Sequence, residues 1–404
     1  MMKLKLFMYL AGVVVALAAC APRTSAATPT QAAPVVTFAT SPAATEPSPA
    51  TPATVVVDAA SAPAANSQLP PATSNQTPAT SPPLFTQLTT GGCCVQPFFS
   101  PDGAHVLYLD RPGSDAPVGI YGVPIAEPLA QPTLRTEKLG PFSANMAYSV
   151  DLVNGQTFIE SVNGTNGEGE RFGISNGGRS VSFAPDNQTI AWTIGQDAGN
   201  FDVRRSEIWV AKLDGSDARR MITRYGGGIV AWFSDSQRML IGGKAARGDA
   251  APTLSILDLR DGAVTDLFSS ERMRGYLLAP DDSHIVFFIA QARNETLDGT
   301  YLLQLSSVVS GTAAPQPQRL DFFGAYRWRD TTHLLYIPLK LNLPSHELWQ
   351  LDVTTGQSTL LIPASAESQF KVGNGDWDVA PDGNLITYIN ARDRNIWLAK
   401  LPSN

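Results

Sequence analysis

From Leu84 to Leu401 the chain alternates short apolar runs with polar turns, and one passage keeps returning. Phe99-Ser100-Pro101-Asp102-Gly103 leads into His105-Val106-Leu107-Tyr108-Leu109. The pattern comes back as Phe183-Ala184-Pro185-Asp186-Asn187 into Thr189-Ile190-Ala191-Trp192, and as Phe233-Ser234-Asp235-Ser236 into Met239-Leu240-Ile241. Ala279-Pro280-Asp281-Asp282 runs into His284-Ile285-Val286-Phe287-Phe288, and Ala380-Pro381-Asp382-Gly383 into Leu385-Ile386-Thr387-Tyr388. Trp328-Arg329-Asp330-Thr331 into His333-Leu334-Leu335-Tyr336 is a weaker copy. In each, Pro presets φ, Asp caps the turn locally and Gly accepts positive φ. The apolar run that follows reads as a strand buried on both faces. A third strand (Ile208-Trp209-Val210, Leu254-Ser255-Ile256-Leu257, Leu348-Trp349-Gln350-Leu351, Ile396-Trp397-Leu398) and an outer one such as Thr265-Asp266-Leu267-Phe268 complete a unit, and helical periodicity is absent.

The gap from Asp102 to Asp186 is double the others, so one degenerate unit is expected between them, at Met146–Asp151 followed by Gln156–Ile159. That makes seven units of about 45 residues, the size of a four-stranded propeller blade. The fold class is therefore all-β, a β-propeller of seven blades, with a six-bladed ring carrying residues 140–178 as an insertion as the alternative. The last unit, Trp377 to Leu401, holds only three strands, and Leu84–Thr89 has the outer-strand pattern, so it is expected to close the last blade and remove an open edge. The repeat resembles the Pro-Asp-Gly propeller repeat of TolB and of the N-terminal propellers of prolyl oligopeptidase-type peptidases. TolB-like proteins are periplasmic interaction platforms, so the resemblance implies binding rather than catalysis. No extra α/β domain precedes the repeats here; a different N-terminus takes its place.

Lys3 and Lys5 precede an apolar run from Leu6 to Leu17, too short to span a bilayer and matched to the core of a secretory signal. Leu17-Ala18-Ala19-Cys20 looks like a bacterial lipoprotein box, which implies cleavage after residue 19 and lipidation of Cys20, anchoring an exported protein to the membrane. Residues 20–83, rich in Ala, Pro, Thr and Ser, are too polar and too poor in large apolar groups to repay ordering, and are expected to be a disordered tether for a domain over 84–404. Net charge is −7 and no block of Lys and Arg stands out, so the electrostatic footprint of nucleic-acid binding is missing.

Candidate chemistry is sparse. His105, His284 and His333 each open a repeat strand, which keeps them on separate blades and argues against a shared metal. Gly173-Ile174-Ser175-Asn176-Gly177 has nucleophile-elbow spacing but runs on into another strand instead of the helix that motif needs. Asn163–Glu170 offers oxygens without the aspartate alternation of a calcium loop. No catalytic, metal or cofactor site is assigned. With Cys20 lipidated, Cys93 and Cys94 have only each other in an oxidising compartment, and a bridge between adjacent residues would make a strained, rigid loop beside Gly91 and Gly92; the alternative is two free or merely turn-stabilising cysteines. Loops expected on the same face carry Arg179, Tyr225, Arg274, Tyr276, Tyr326, Arg327, Asp376 and Trp377, the aromatic and arginine types enriched in binding hot spots. The function expected is a lipid-anchored extracytoplasmic scaffold binding an envelope protein, peptide or glycan at that face. The alternative is a propeller hydrolase or lyase with its site at the central channel.

Overall fold

The computed structural model describes residues 84–92, 94–162, 169–196, 200–305 and 316–402. The expectations for residues 1–83, Cys20 included, for Cys93 and for 163–168 lie outside the described residues.

The described chain is a succession of antiparallel sheets. The strand β1 (Leu84–Gln87) stands first in sequence. Next come the sheets β2 (Val95–Phe99), β3 (His105–Asp110), β4 (Gly119–Pro124), β5 (Thr133–Thr136), and β6 (Tyr148–Val153), β7 (Gln156–Ser161), β8 (Arg171–Ile174). A sheet of seven follows: β9 (Ser182–Phe183), β10 (Thr189–Gly195), β11 (Arg205–Lys212), β12 (Arg219–Trp232), β13 (Arg238–Lys244), β14 (Thr253–Asp258), β15 (Val264–Ser269). Two four-stranded sheets are β16 (Met273–Leu278), β17 (His284–Ile289), β18 (Gly299–Gln304), β19 (Gln318–Leu320), and β20 (Gly324–Trp328), β21 (His333–Pro338), β22 (Leu348–Asp352), β23 (Ser358–Ile362). The last sheet is β24 (Val372–Val379), β25 (Leu385–Asn390), β26 (Ile396–Lys400), and its outer position is taken by β1, which pairs Leu84 with Lys400 and Gln87 with Trp397. The expected closure is present.

The repeated turn is built the same way throughout. At Asp102, Asn145, Asp186, Asp235, Asp281, Asp330 and Asp382 a side-chain oxygen accepts the backbone N–H two residues on, at 2.8–3.1 Å. Such Asx-turns offer the backbone a ready reversal. In six of these turns the next residue has positive φ: Gly103, Met146, Asn187, Ser236, Asp282 and Gly383. Asn145 marks the degenerate unit, so its turn lies at Ser143–Met146, not around Asp151 as expected. Its inner strand shrinks to a single bridge between Phe142 and Ser149. Phe142-Ser143-Ala144-Asn145 is a diverged Phe99-Ser100-Pro101-Asp102, down to the Ser143 hydroxyl donating to Asn145 as Ser100 donates to Asp102.

The second strands are buried on both faces, as their composition predicts: Val106-Leu107-Tyr108, Met239-Leu240-Ile241, Ile285-Val286-Phe287 and Leu334-Leu335-Tyr336 are all buried. They supply clusters shared between successive sheets, such as Phe233, Leu240 and Leu254 against Ile285, Phe287 and Leu303. Each fully buried side chain of this size contributes about 1.5–3 kcal/mol. The core is thus distributed between sheets.

Candidate functional site

The inner strands β2 and β24 lie side by side. The Phe99 N–H donates to Asp378 Oδ2 at 3.2 Å, and the Gln96 N–H donates to the Asp376 carboxylate. Both acids are half-buried, and loss of water pushes both carboxyls above the usual carboxylate range. For Asp378, the Phe99 and Val379 amides and the Arg327 charge oppose that rise without cancelling it.

Irregular backbone gathers at the starting ends of these strands. Between the pairs Val95–Leu109 and Phe98–Leu107, β2 holds one extra residue, with Gln96 at φ 55°. An equivalent bulge in β16 falls between Arg274–Phe288 and Leu277–Val286, with Gly275 at φ 63°. In β12 it falls between Tyr225–Lys244 and Gly228–Gly242, with Gly226 at φ 64°. The largest is in β24, where Val372–Asn390 is followed only at Trp377–Tyr388 by the next pair, and Asn374 and Gly375 take positive φ. Bulges re-aim side chains and collect near functional sites. Just ahead of β2, Gly91, Gly92 and Cys94 also have positive φ, at 85°, 68° and 73°. Cys94 is disulfide-bonded; its partner lies outside the described residues.

Several residues expected in loops therefore sit inside strands. Tyr225, Arg274, Tyr276, Tyr326, Arg327, Asp376 and Trp377 belong to β12, β16, β20 and β24, and only Arg179 lies on a turn, after β8. The pattern divides them by face. Trp377 and Tyr326 are 2% and 6% exposed and pack in the core, the Tyr326 hydroxyl donating to the Gly275 carbonyl. They are structural, because in a strand their neighbours occupy the other face. Tyr276 is half-buried, its ring 6.0 Å from that of Phe287. The Arg327 guanidinium lies 5.5 Å over the Trp377 ring and donates to the Tyr326 carbonyl at 2.9 Å. Arg274 and Arg179 are exposed, and Tyr225 is half-buried beneath the Arg247 guanidinium, 5.6 Å away.

What the structure brings together, then, is Arg327 on β20 with Asp376 and Asp378 on β24, Asp376 beside the bulged start of β2 and Asp378 beside its end. Asp378 escaped the sequence reading because Trp377-Asp378-Val379 reads as plain strand. The available signal was two acids at i and i+2 in an inner strand, where only one can belong to the preceding turn. Among the described residues no group of three or more His, Cys, Asp or Glu is placed to hold a metal ion. His105, His284 and His333 open β3, β17 and β21, each in a different sheet. Ser175 is exposed and is followed by a turn and β9.

No protein-family model matches the chain. No curated protein matches it. Among solved structures, an oligogalacturonate lyase in complex with manganese matches with a TM-score of 0.53 at 12% identity, over 80% of this chain and 97% of that one. The oligogalacturonate lyase of Vibrio parahaemolyticus matches at 0.52 and 11%, over 80% and 98%. A TolB protein from Agrobacterium tumefaciens matches at 0.35 and 13%, over 80% and 92%. At these identities the likeness to the two lyases concerns the fold alone, and that fold is a β-propeller.

Proposed function

We propose that this chain is an exported, lipid-anchored propeller of seven blades that binds an envelope protein, peptide or glycan at the bulged ends of its inner strands. The observation that supports the reading is the shared position of the bulges in β2, β12, β16 and β24, irregular main chain at one end of inner strands, one of which carries Asp376. Such backbone collects beside functional sites, where it re-aims side chains. The seven repeated turns ahead of the second strands among the described residues support the blade count, with β12 serving one blade as outer strand and the next as inner strand.

Export and anchoring rest on Lys3, Lys5, the apolar run and Cys20. They connect to the disulfide of Cys94. The chain has three cysteines, so lipidation of Cys20 leaves Cys93 as the partner and makes the bridge vicinal. Tandem mass spectrometry of the unreduced chain tests both at once. A peptide holding Cys93 and Cys94 without free thiols supports them, and a Cys20–Cys94 cross-link rejects them.

The binding reading is tested by cross-linking pull-down from an envelope extract with the full chain, followed by alanine substitution of Arg179, Arg274, Arg327 and Asp376. Graded affinity losses, reaching about 2 kcal/mol (roughly thirty-fold) at Arg327, are expected of a binding face. Complete loss of a turnover activity from one substitution would favour instead a hydrolase or lyase with its site at the channel.

A further inference from the structure

At the far ends of the same inner strands, where the repeated turns begin, β2, β24 and the Phe142–Met146 turn line an open pocket of about 270 Å³. Its walls include Phe98, Phe99, Phe142 and Met146, and Asp378 is the one charged residue among those that line it. The carboxylate there accepts the Phe99 N–H at 3.2 Å. Among the described residues it has no ion-pair partner within 4.0 Å, and the Arg327 guanidinium is laid over the Trp377 ring. A half-buried charge in apolar walls is costly unless a cation joins it. Aromatic side chains among the lining favour a cation that carries its own apolar stem. The volume falls just under the roughly 300–1,000 Å³ of ordinary small-molecule pockets, so it suits one ring or one side chain.

We propose that this cavity binds a primary ammonium on a short apolar or aromatic stem, the chemistry shared by a small aralkylamine and a lysine side chain. The site lies at the opposite ends of the inner strands from the bulged face, so it goes beyond the binding face proposed above and either can fail alone.

The test is a ligand-observed saturation-transfer NMR titration of the full chain with benzylamine, with benzyl alcohol as the uncharged control. Saturable benzylamine binding is expected, at least ten-fold tighter than the alcohol, and weakened at least ten-fold by Asp378→Asn. Equal binding of amine and alcohol, or unchanged affinity in Asp378→Asn, overturns the proposal. Should that variant fail to fold, as judged by circular dichroism, Ala144→Trp carries the test. Ala144 is exposed and lines the cavity, so an indole there fills it from outside, and undiminished binding overturns the proposal equally. Competition by a blocked peptide with one lysine would identify a protein side chain as the source of the amine, and benzylamine binding without such competition a free amine.

Discussion

Single residues carry unequal burdens in a repeated framework, and Arg329 shows why. It occupies the turn position held elsewhere by Ser100, Ser143, Ala184, Phe233, Ala279 and Ala380, since in each case that residue's N–H donates to the carbonyl that opens the next strand. Yet its buried guanidinium donates to the Gly383 carbonyl at 2.9 Å, to Gln350 Oε1 and to the Pro402 carbonyl, tying the last sheet to its neighbour. Arg329→Ala restores the residue type of three sister turns but strands those acceptors. We expect a loss of about 3 kcal/mol in urea unfolding, little of it recovered by Lys, whose single ammonium cannot reproduce the planar fork. Asp378 works in the opposite sense. Its carboxyl is raised in the folded state, so the fold binds that proton more tightly than the unfolded chain does. The associated stability is fully present below the unfolded carboxylate value, about pH 4, and is lost as pH rises through the raised folded value. Asp378→Asn keeps the shape without the charge and should raise the unfolding midpoint at about pH 7, with the gain vanishing toward about pH 4. A midpoint unchanged or lowered at neutral pH would contradict the burial argument. An acid retained at a cost to stability is what a binding role predicts.

At the scale of the element, β12 makes the sharpest demand. One strand of fourteen residues pairs with β11 along its first half and with β13 along its second. The change of partner happens at Tyr225–Gly228, where a Cβ on Gly227 would lie 2.0 Å from the Gly242 carbonyl oxygen. No rotamer relieves a backbone clash. Gly227→Ala should therefore cost about 3 kcal/mol or more, whereas Gly228→Ala, which meets only the Thr193 side chain at 3.0 Å, should cost about 1 kcal/mol. Equal losses in thermal unfolding would show that the change of partner does not depend on this close approach. The same segment marks what sequence could tell. The turns were legible because Asp and Gly are chosen locally, and the second strands because burial on both faces leaves a continuous apolar run. Tyr225–Gly228 and Gly375–Trp377 read as loops because a bulge is a relation between two strands, and glycine signals a turn and a bulge alike. The unit around Asn145 was placed too late for a related reason. Asn replaces Asp with the same hydrogen bond, and Met146 takes the positive φ that glycine supplies elsewhere, so the chemistry survived while the letters changed.

At the scale of the whole domain, stability depends on one join between residues some three hundred positions apart. The four residues of β1 pair with β26, after which the Leu88 N–H donates to the Ile396 carbonyl and the Gly92 N–H to Asn395 Oδ1. Leu88 is fully buried, in one cluster with Tyr108, Ile389 and Ile396. This contact unites the first sheet with the last, and its loss has two separable consequences. Leu88→Ala leaves the pairing intact and removes packing, so it should cost about 2–5 kcal/mol without changing the state of association. Deleting residues 84–89 removes the strand itself and leaves the edge of β26 unpaired, a template for other chains. That variant should both unfold at lower urea and associate as concentration rises, measured by sedimentation velocity. If the deletion lowered stability as Leu88→Ala does but stayed monomeric, β1 would be packing cover and not the element that protects the edge. If it associated, the same four residues that finish the last sheet would also be what keeps the bulged face, with Arg327 and Asp376, presented by a monomeric propeller.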